Sequence, residues 1–221
     1  MSILTTLQLI PLVGALLVAL TPKKNSLLTK QVAFATSLVV AAVSIYMVTI
    51  FDSANKAMQF VEVRSWIPTF GINYAVGADG IAVVLILMTA VLVPIVILAG
   101  WNESEAGRWS VKTFFILMLV LETMMIGVFA ATDVFLFYVI FEAMLLPCYF
   151  LIGGYGRGER AAAALKFLLY SLFGGLLMLA AVIGTYIIAT NQIGGTYFFA
   201  FQIISWCILY MKLSVLPLLT I

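Results

Sequence analysis

Four ionisable residues stand inside or at the edge of long apolar runs: Glu122, Glu142, Lys166 and Lys212. Glu142 is the most conspicuous, within Phe135-Leu-Phe-Tyr-Val-Ile-Phe-Glu142-Ala-Met-Leu-Leu-Pro147-Cys-Tyr-Phe-Leu-Ile152. A charge at the centre of a bilayer helix costs roughly 2.5–3.5 kcal/mol on insertion scales, so such a residue is a functional candidate by default. The chemistry open to carboxyls and amines in hydrocarbon is proton uptake and release. Pro147 adds to the case: it has no N–H, so the carbonyl near position 143 loses its usual helix partner and offers a polar path beside the Glu142 carboxyl.

The elements that must carry these residues are membrane helices. The chain has 221 residues, 65% hydrophobic and 9% charged, with a mean hydropathy of +1.21. Soluble domains carry about 25% charged residues. A soluble enzyme or a nucleic-acid binder is therefore excluded, and the net charge of +2 is dispersed between apolar runs. Cys148 and Cys207 lie in apolar stretches and read as small core residues, with no disulfide framework. The absence of histidine removes the commonest haem and metal ligand, so no cofactor or metal is expected in this chain.

About 20 apolar residues cross the hydrocarbon core as a helix. The expected spans are about 3–21, 30–51, 80–100, 112–132, 134–153, 162–189 and 198–221, an all-α polytopic bundle of about seven helices. The first is read as a span, not a signal peptide, since no basic segment precedes it and Lys23 and Lys24 follow it. With the amino terminus outside, the inner side receives Lys23, Lys24, Lys30, Arg108, Lys112, Arg157, Arg160 and Lys166, and the outer side only Lys56 and Arg64. That asymmetry satisfies the positive-inside rule. The loop from Asp52 to Asp79 contains an alternating Ile72–Val76 stretch and reads as a small extended element on the outer face. Asp79 then has the place of a helix N-cap or first-turn carboxylate.

A turn at Thr132-Asp133 folds spans four and five into an antiparallel hairpin. Glu122 lies eleven residues before Asp133 and Glu142 nine after it, which puts both about 14–17 Å from the turn, near the midplane. Spacing does not say whether they face each other. If they do, one must be protonated, because close like charges in low dielectric do not both ionise cheaply. If they do not, Glu122 is a neutral acid bonded within the bundle. Lys166, one turn into span six, either snorkels to the inner interface or modulates the Glu142 carboxyl as a movable cation. Lys212, deep in the last span and followed by Pro217, reads as part of an ion path beside a proline-broken helix.

The stretch Ile126-Gly-Val-Phe-Ala-Ala-Thr-Asp133-Val-Phe-Leu-Phe-Tyr138-Val-Ile-Phe-Glu142-Ala-Met-Leu-Leu-Pro147-Cys-Tyr149-Phe-Leu-Ile152-Gly resembles a segment of the antiporter-like subunit M family of bacterial respiratory complex I, NADH–quinone oxidoreductase. Ala164-Leu-Lys166-Phe-Leu-Leu-Tyr170 and Gly77-Ala-Asp79-Gly80-Ile81 extend the likeness, which covers about residues 1–195. The resemblance implies a proton-translocating subunit of an antiporter-like inverted-repeat fold with a broken helix, in a bacterial inner membrane. It implies Glu142 as the essential glutamate of the fifth helix, paired with a lysine on a broken seventh helix. NADH, flavin, iron–sulfur clusters and quinone then belong to partner subunits, so this chain has no redox chemistry of its own. Its partners are the other membrane subunits of the complex, neighbouring antiporter-like subunits above all, with protons as cargo.

Family members are much longer. The resemblance therefore implies only the amino-terminal part: helices one to three in 1–110, with the external loop at about 52–79, then the start of the first repeat in 111–221. In the tail Lys212, Pro217 and Thr220 keep the family spacing, while Ser214 and Leu219 depart from it. Two other readings stay open: a subunit of a multi-subunit cation/proton antiporter or membrane-bound hydrogenase, and a truncated, non-functional reading frame.

Overall fold

A computed structural model describes residues 2–22, 25–55, 57–67, 72–102, 109–156 and 158–193. Its elements in order are α1 (Ile3–Leu20), α2 (Ser26–Ile50), β1 (Gln59–Ile67), β2 (Ile72–Ala78), α3 (Gly80–Ala99), α4 (Val111–Ala130), α5 (Val134–Tyr155) and α6 (Arg160–Ile193). Among the described residues six helices are long and apolar enough to cross a membrane, the sixth over Arg160–Gly184. The expected seventh span, with Lys212 and Pro217, lies outside them. Helices are what hydrocarbon permits, because each satisfies its own backbone polar groups. The same surroundings tolerate Pro11, Pro94 and Pro147 inside α1, α3 and α5.

Short polar side chains cap the starts of α1, α3, α4 and α5. The Ser2 hydroxyl accepts from the Thr5 amide at 3.3 Å and the Ser110 hydroxyl from the Thr113 amide at 3.3 Å. Asp79 caps α3 as its position suggested, accepting from the Ala82 amide at 2.7 Å. One difference from the sequence reading is at α2, which starts at Ser26, so that Lys30 lies within the helix. Lys30 is nevertheless buried, its ammonium 5.6 Å from the centre of the Trp101 ring. A cation over an indole face supplies the local reason a lysine is tolerated there.

Helix α4 is the pivot: it packs against α1, α2 and α3 and, on another side, α5, which in turn packs against α6. Leu4, Leu7, Val40, Ile86 and Ile126 form one half of the core, and Val18, Ala33, Ile97, Phe115 and Leu119 the other. The outward faces are themselves apolar, Leu16, Ile45, Val84 and Ile95 among them. That is the pattern of a bundle whose solvent is lipid.

The expected extended element is a two-stranded antiparallel hairpin, with Val63 opposite Ala75 and Ser65 opposite Asn73. It is fastened to the bundle at two places. At the first, Glu62 accepts from the Ser2 amide and the Thr5 hydroxyl, each at 2.7 Å, and pairs with Arg64 at 2.7 Å. These bonds, led by the Ser2 amide, hold the Glu62 carboxyl at about 2, below its usual 4.5. At the second, β2 lies along the α4–α5 turn: the Thr132 amide donates to the Ala75 carbonyl at 3.0 Å, and Val76 bridges Ala131. Asp133 caps α5 with one oxygen, accepting from the Phe135 and Leu136 amides at 2.9 and 3.1 Å, and with the other accepts from the Asn73 amide at 3.3 Å.

Asp133→Ala is expected to destabilise the detergent-solubilised protein by about 1–2 kcal/mol, the usual cost of losing such a cap. An unchanged thermal midpoint would show that the cap does not hold the turn. Because the folded Glu62 carboxyl titrates at about 2 rather than 4.5, its contribution is complete above about pH 4.5 and fades as pH falls toward 2. Proteolysis of the hairpin should accelerate across that acid window in the parent protein, and the acceleration should be reduced in Glu62→Gln.

Candidate functional site

Both membrane carboxyls are placed by the α4–α5 turn. Glu142 follows Asp133 by nine residues and Glu122 precedes Ala131 by nine, so each sits about 13–14 Å from that end of the bundle. The matched depth read from spacing holds in the fold. The rotational positions differ, and this the spacing did not reveal.

Glu122 is wholly buried, on the face of α4 that carries Phe115, Leu119 and Ile126 into the core shared with α1, α2 and α3. The α5 side of α4 is marked by Gly127, where an added Cβ would come 3.2 Å from Ile140. Gly127 lies about 140° round the helix from Glu122 at 3.6 residues per turn. On α5, Ile140 faces α4, and Glu142, two residues on, faces about 200° away. The two carboxyls therefore look into different seams: Glu122 into the four-helix core, Glu142 toward α6.

The partner surface of Glu142 is the backbone of α6 at Gly175. A Cβ built on Gly175 would overlap Glu142 Oε1 and lie 2.6 Å from its carboxyl carbon. This contact belongs to a regular antiparallel seam. Gly153 faces Ala164 near one end, with 3.6 Å to Ala164 from an added Cβ. Near the other end, Val134 packs with Val182. Glu142 Oε1 is buried there with no hydrogen-bond partner, as are both oxygens of Glu122. Tyr138, one turn earlier on the same face of α5, lies within electrostatic reach of Glu142. Pro147 interrupts the α5 hydrogen-bond ladder one turn beyond.

Lys166 is not brought to Glu142. It precedes Gly175 by nine residues on α6, about 13–14 Å along the axis and half a turn round it. Its side chain is exposed, and no ion pair within 4.0 Å joins it to Glu142. The physical reason is the seam itself: Ala164 and Gly175 share the face that meets α5, so a residue at 166 points away. Asp79 and Asp133 act as caps. Lys212 and Pro217 lie outside the described residues.

The sequence reading missed two residues. Gly175 carries no chemistry of its own and gives no signal until α6 is packed against α5. Gln8 of α1 was passed over as one polar residue in an apolar run. Its Oε1 accepts from the Tyr74 hydroxyl of the hairpin at 2.9 Å, while its buried Nε2 has no hydrogen-bond partner. Among the described residues no group of three or more His, Cys, Asp or Glu could hold a metal ion.

With this geometry in place, the relatives are informative. Residues 131–217 match the family model described as NADH:quinone oxidoreductase/Mrp antiporter, TM. NADH-quinone oxidoreductase subunit M of Mycobacterium tuberculosis is 44% identical over 223 residues, covering 89% of this chain and 40% of that protein. F(420)H(2) dehydrogenase subunit M of Methanosarcina mazei is 37% identical, with 88% and 38% covered. A chain of respiratory complex I from Thermus thermophilus superposes with a TM-score of 0.71 at 26% identity, covering 84% of this chain and 36% of that one. The chain thus spans about two fifths of the length of the curated relatives it matches.

Glu122→Met is expected to hold or raise the thermal midpoint, since replacing an unpartnered buried polar group by an apolar one of similar size is neutral to stabilising. A fall of several degrees would show that Glu122 makes hydrogen bonds the fold requires.

Proposed function

Residues 131–217 match the family model described as NADH:quinone oxidoreductase/Mrp antiporter, TM, and from that match we propose that this chain is part of a proton-translocating subunit of a bacterial NADH–quinone oxidoreductase. The observation that carries the reading is Glu142: a carboxyl at the midplane of an apolar helix, with a buried oxygen free of hydrogen bonds and a proline-opened backbone one turn away. In this reading Glu142 takes up and releases the proton. Its acid form is stable in hydrocarbon, and its ionised form needs water or a cation to reach it. The partner subunits supply NADH oxidation, flavin, iron–sulfur clusters and quinone reduction. The neighbouring antiporter-like subunits adjoin it in the membrane, and the segment from residue 111 opens the first repeat.

Charge placement supports an orientation with the amino terminus outside. Asp52, Glu62, Asp79 and Asp133 gather at the hairpin end, where α1 begins. Lys30, Lys112 and Arg160 lie at the opposite end, where the Lys112 ammonium donates to the Thr21 carbonyl at 2.8 Å. Positive residues favour the inner side. Lys166 is assigned to that inner half of α6 as a lipid- or partner-facing cation.

A second reading, a subunit of a cation/proton antiporter or of a complex with another electron donor, draws on the breadth of the matched family and on the Methanosarcina relative. The same Glu142 chemistry serves both. Glu142→Gln in the intact subunit should abolish proton translocation while the complex assembles normally. Retained translocation in an assembled complex would sink the proposal. Donor-driven proton movement that requires quinone would favour the oxidoreductase, and sodium-dependent exchange without quinone the antiporter.

A further inference from the structure

The Glu142 carboxyl is seated by the absence of a side chain on another helix. On α6, Gly175 is buried, and the space a Cβ would occupy is filled by Glu142 Oε1, with the carboxyl carbon 2.6 Å and Oε2 3.3 Å from that position. The atoms in the way are the end of the Glu142 side chain, so a Cβ at 175 is accommodated by moving the carboxyl itself out of its seat. Elsewhere on the same helix, Gly184 has no heavy atom within 4 Å of an added Cβ. Glycine in a helix interior carries a cost of roughly 1 kcal/mol relative to alanine. At 175 that cost is matched by a contact no other residue allows.

We propose that Gly175 is a positioning residue: its bare backbone forms the slot that seats the Glu142 carboxyl in the α5–α6 seam, turned away from Glu122 and α4. The proposal rests on the reading of Glu142 as the proton carrier and adds where that carrier is held. Three consequences of the seam agree with it. Ala164, Gly175 and Val182 fall on one face of α6 and meet Gly153, Glu142 and Val134 of α5 in antiparallel order. Ile140, on the other side of α5, closes the route toward α4 by packing at Gly127. Lys166, on the far side of α6, is excluded from the slot.

The test uses the intact subunit in its assembled membrane complex. Misplacing a reacting group by about 1 Å costs on the order of 10²-fold, so Gly175→Ala should lower proton translocation by about tenfold to a hundredfold, while Gly184→Ala leaves it unchanged. Glu142→Asp withdraws the carboxyl by one methylene. The double variant Gly175→Ala with Glu142→Asp should therefore translocate protons faster than the product of the two single losses. If Gly175→Ala alone fails to assemble, the double variant should recover assembly, because the overlap is relieved. Unchanged translocation in Gly175→Ala, a double variant no better than multiplicative, or failure of both to assemble would overturn the slot. If Glu142→Gln itself retained translocation, the functional reading would fall. Loss with Glu142→Gln but not with Gly175→Ala would remove only the slot.

Discussion

One carboxylate, Asp133, fixes the geometry on which the rest depends. Its Oδ1 accepts the first free amides of α5, and its Oδ2 accepts an amide of the β hairpin. Helix ends leave donors unsatisfied, and near hydrocarbon an unpaired donor is costly. The carboxylate meets both needs with one side chain, so the start of α5 is not free to slide. Every residue on α5 then has a set distance from the turn, and Glu142 falls about 13–14 Å along the helix from Asp133 as a matter of counting. The Glu62 contact with Ser2 and Thr5 does the same for α1 at the same end. The hairpin is thus a plate to which three helix ends are pinned.

Against that plate the two buried carboxyls have the same depth and different surroundings. Glu122 is enclosed by four helices, in the core shared by α1 to α4. Glu142 sits between two, in the seam of α5 and α6. Neither Glu122 oxygen has a hydrogen-bond partner among the described residues. The two acids thus share a depth and differ in the helices that surround them.

The features legible in the sequence are those decided locally. Span lengths follow from hydropathy, the α3 cap from Asp79 at the helix start, the hairpin from an alternating stretch, and matched depth from distance to Asp133. The rotation of one helix against its neighbour is not local. Helix α5 is apolar around most of its circumference, so the 3.6-residue period gives no preferred inward face, and the facing of Glu122 and Glu142 stayed open. For Lys166 the chemistry suggested a partnership that the packing does not form. Its place was computable only once Gly175 was known to meet Glu142, since nine residues are two and a half turns.

That asymmetry of information has a physical source. Chemistry draws the eye to residues that can ionise, yet in a bilayer the position of an ionisable group is set by what its neighbours lack. Gly175 lacks a side chain and Pro147 lacks an amide hydrogen. Together they leave the Glu142 carboxyl pressed against a backbone with one oxygen unpaired. Where that carboxyl sits is thus decided by two absences on its neighbours, not by any group that binds it.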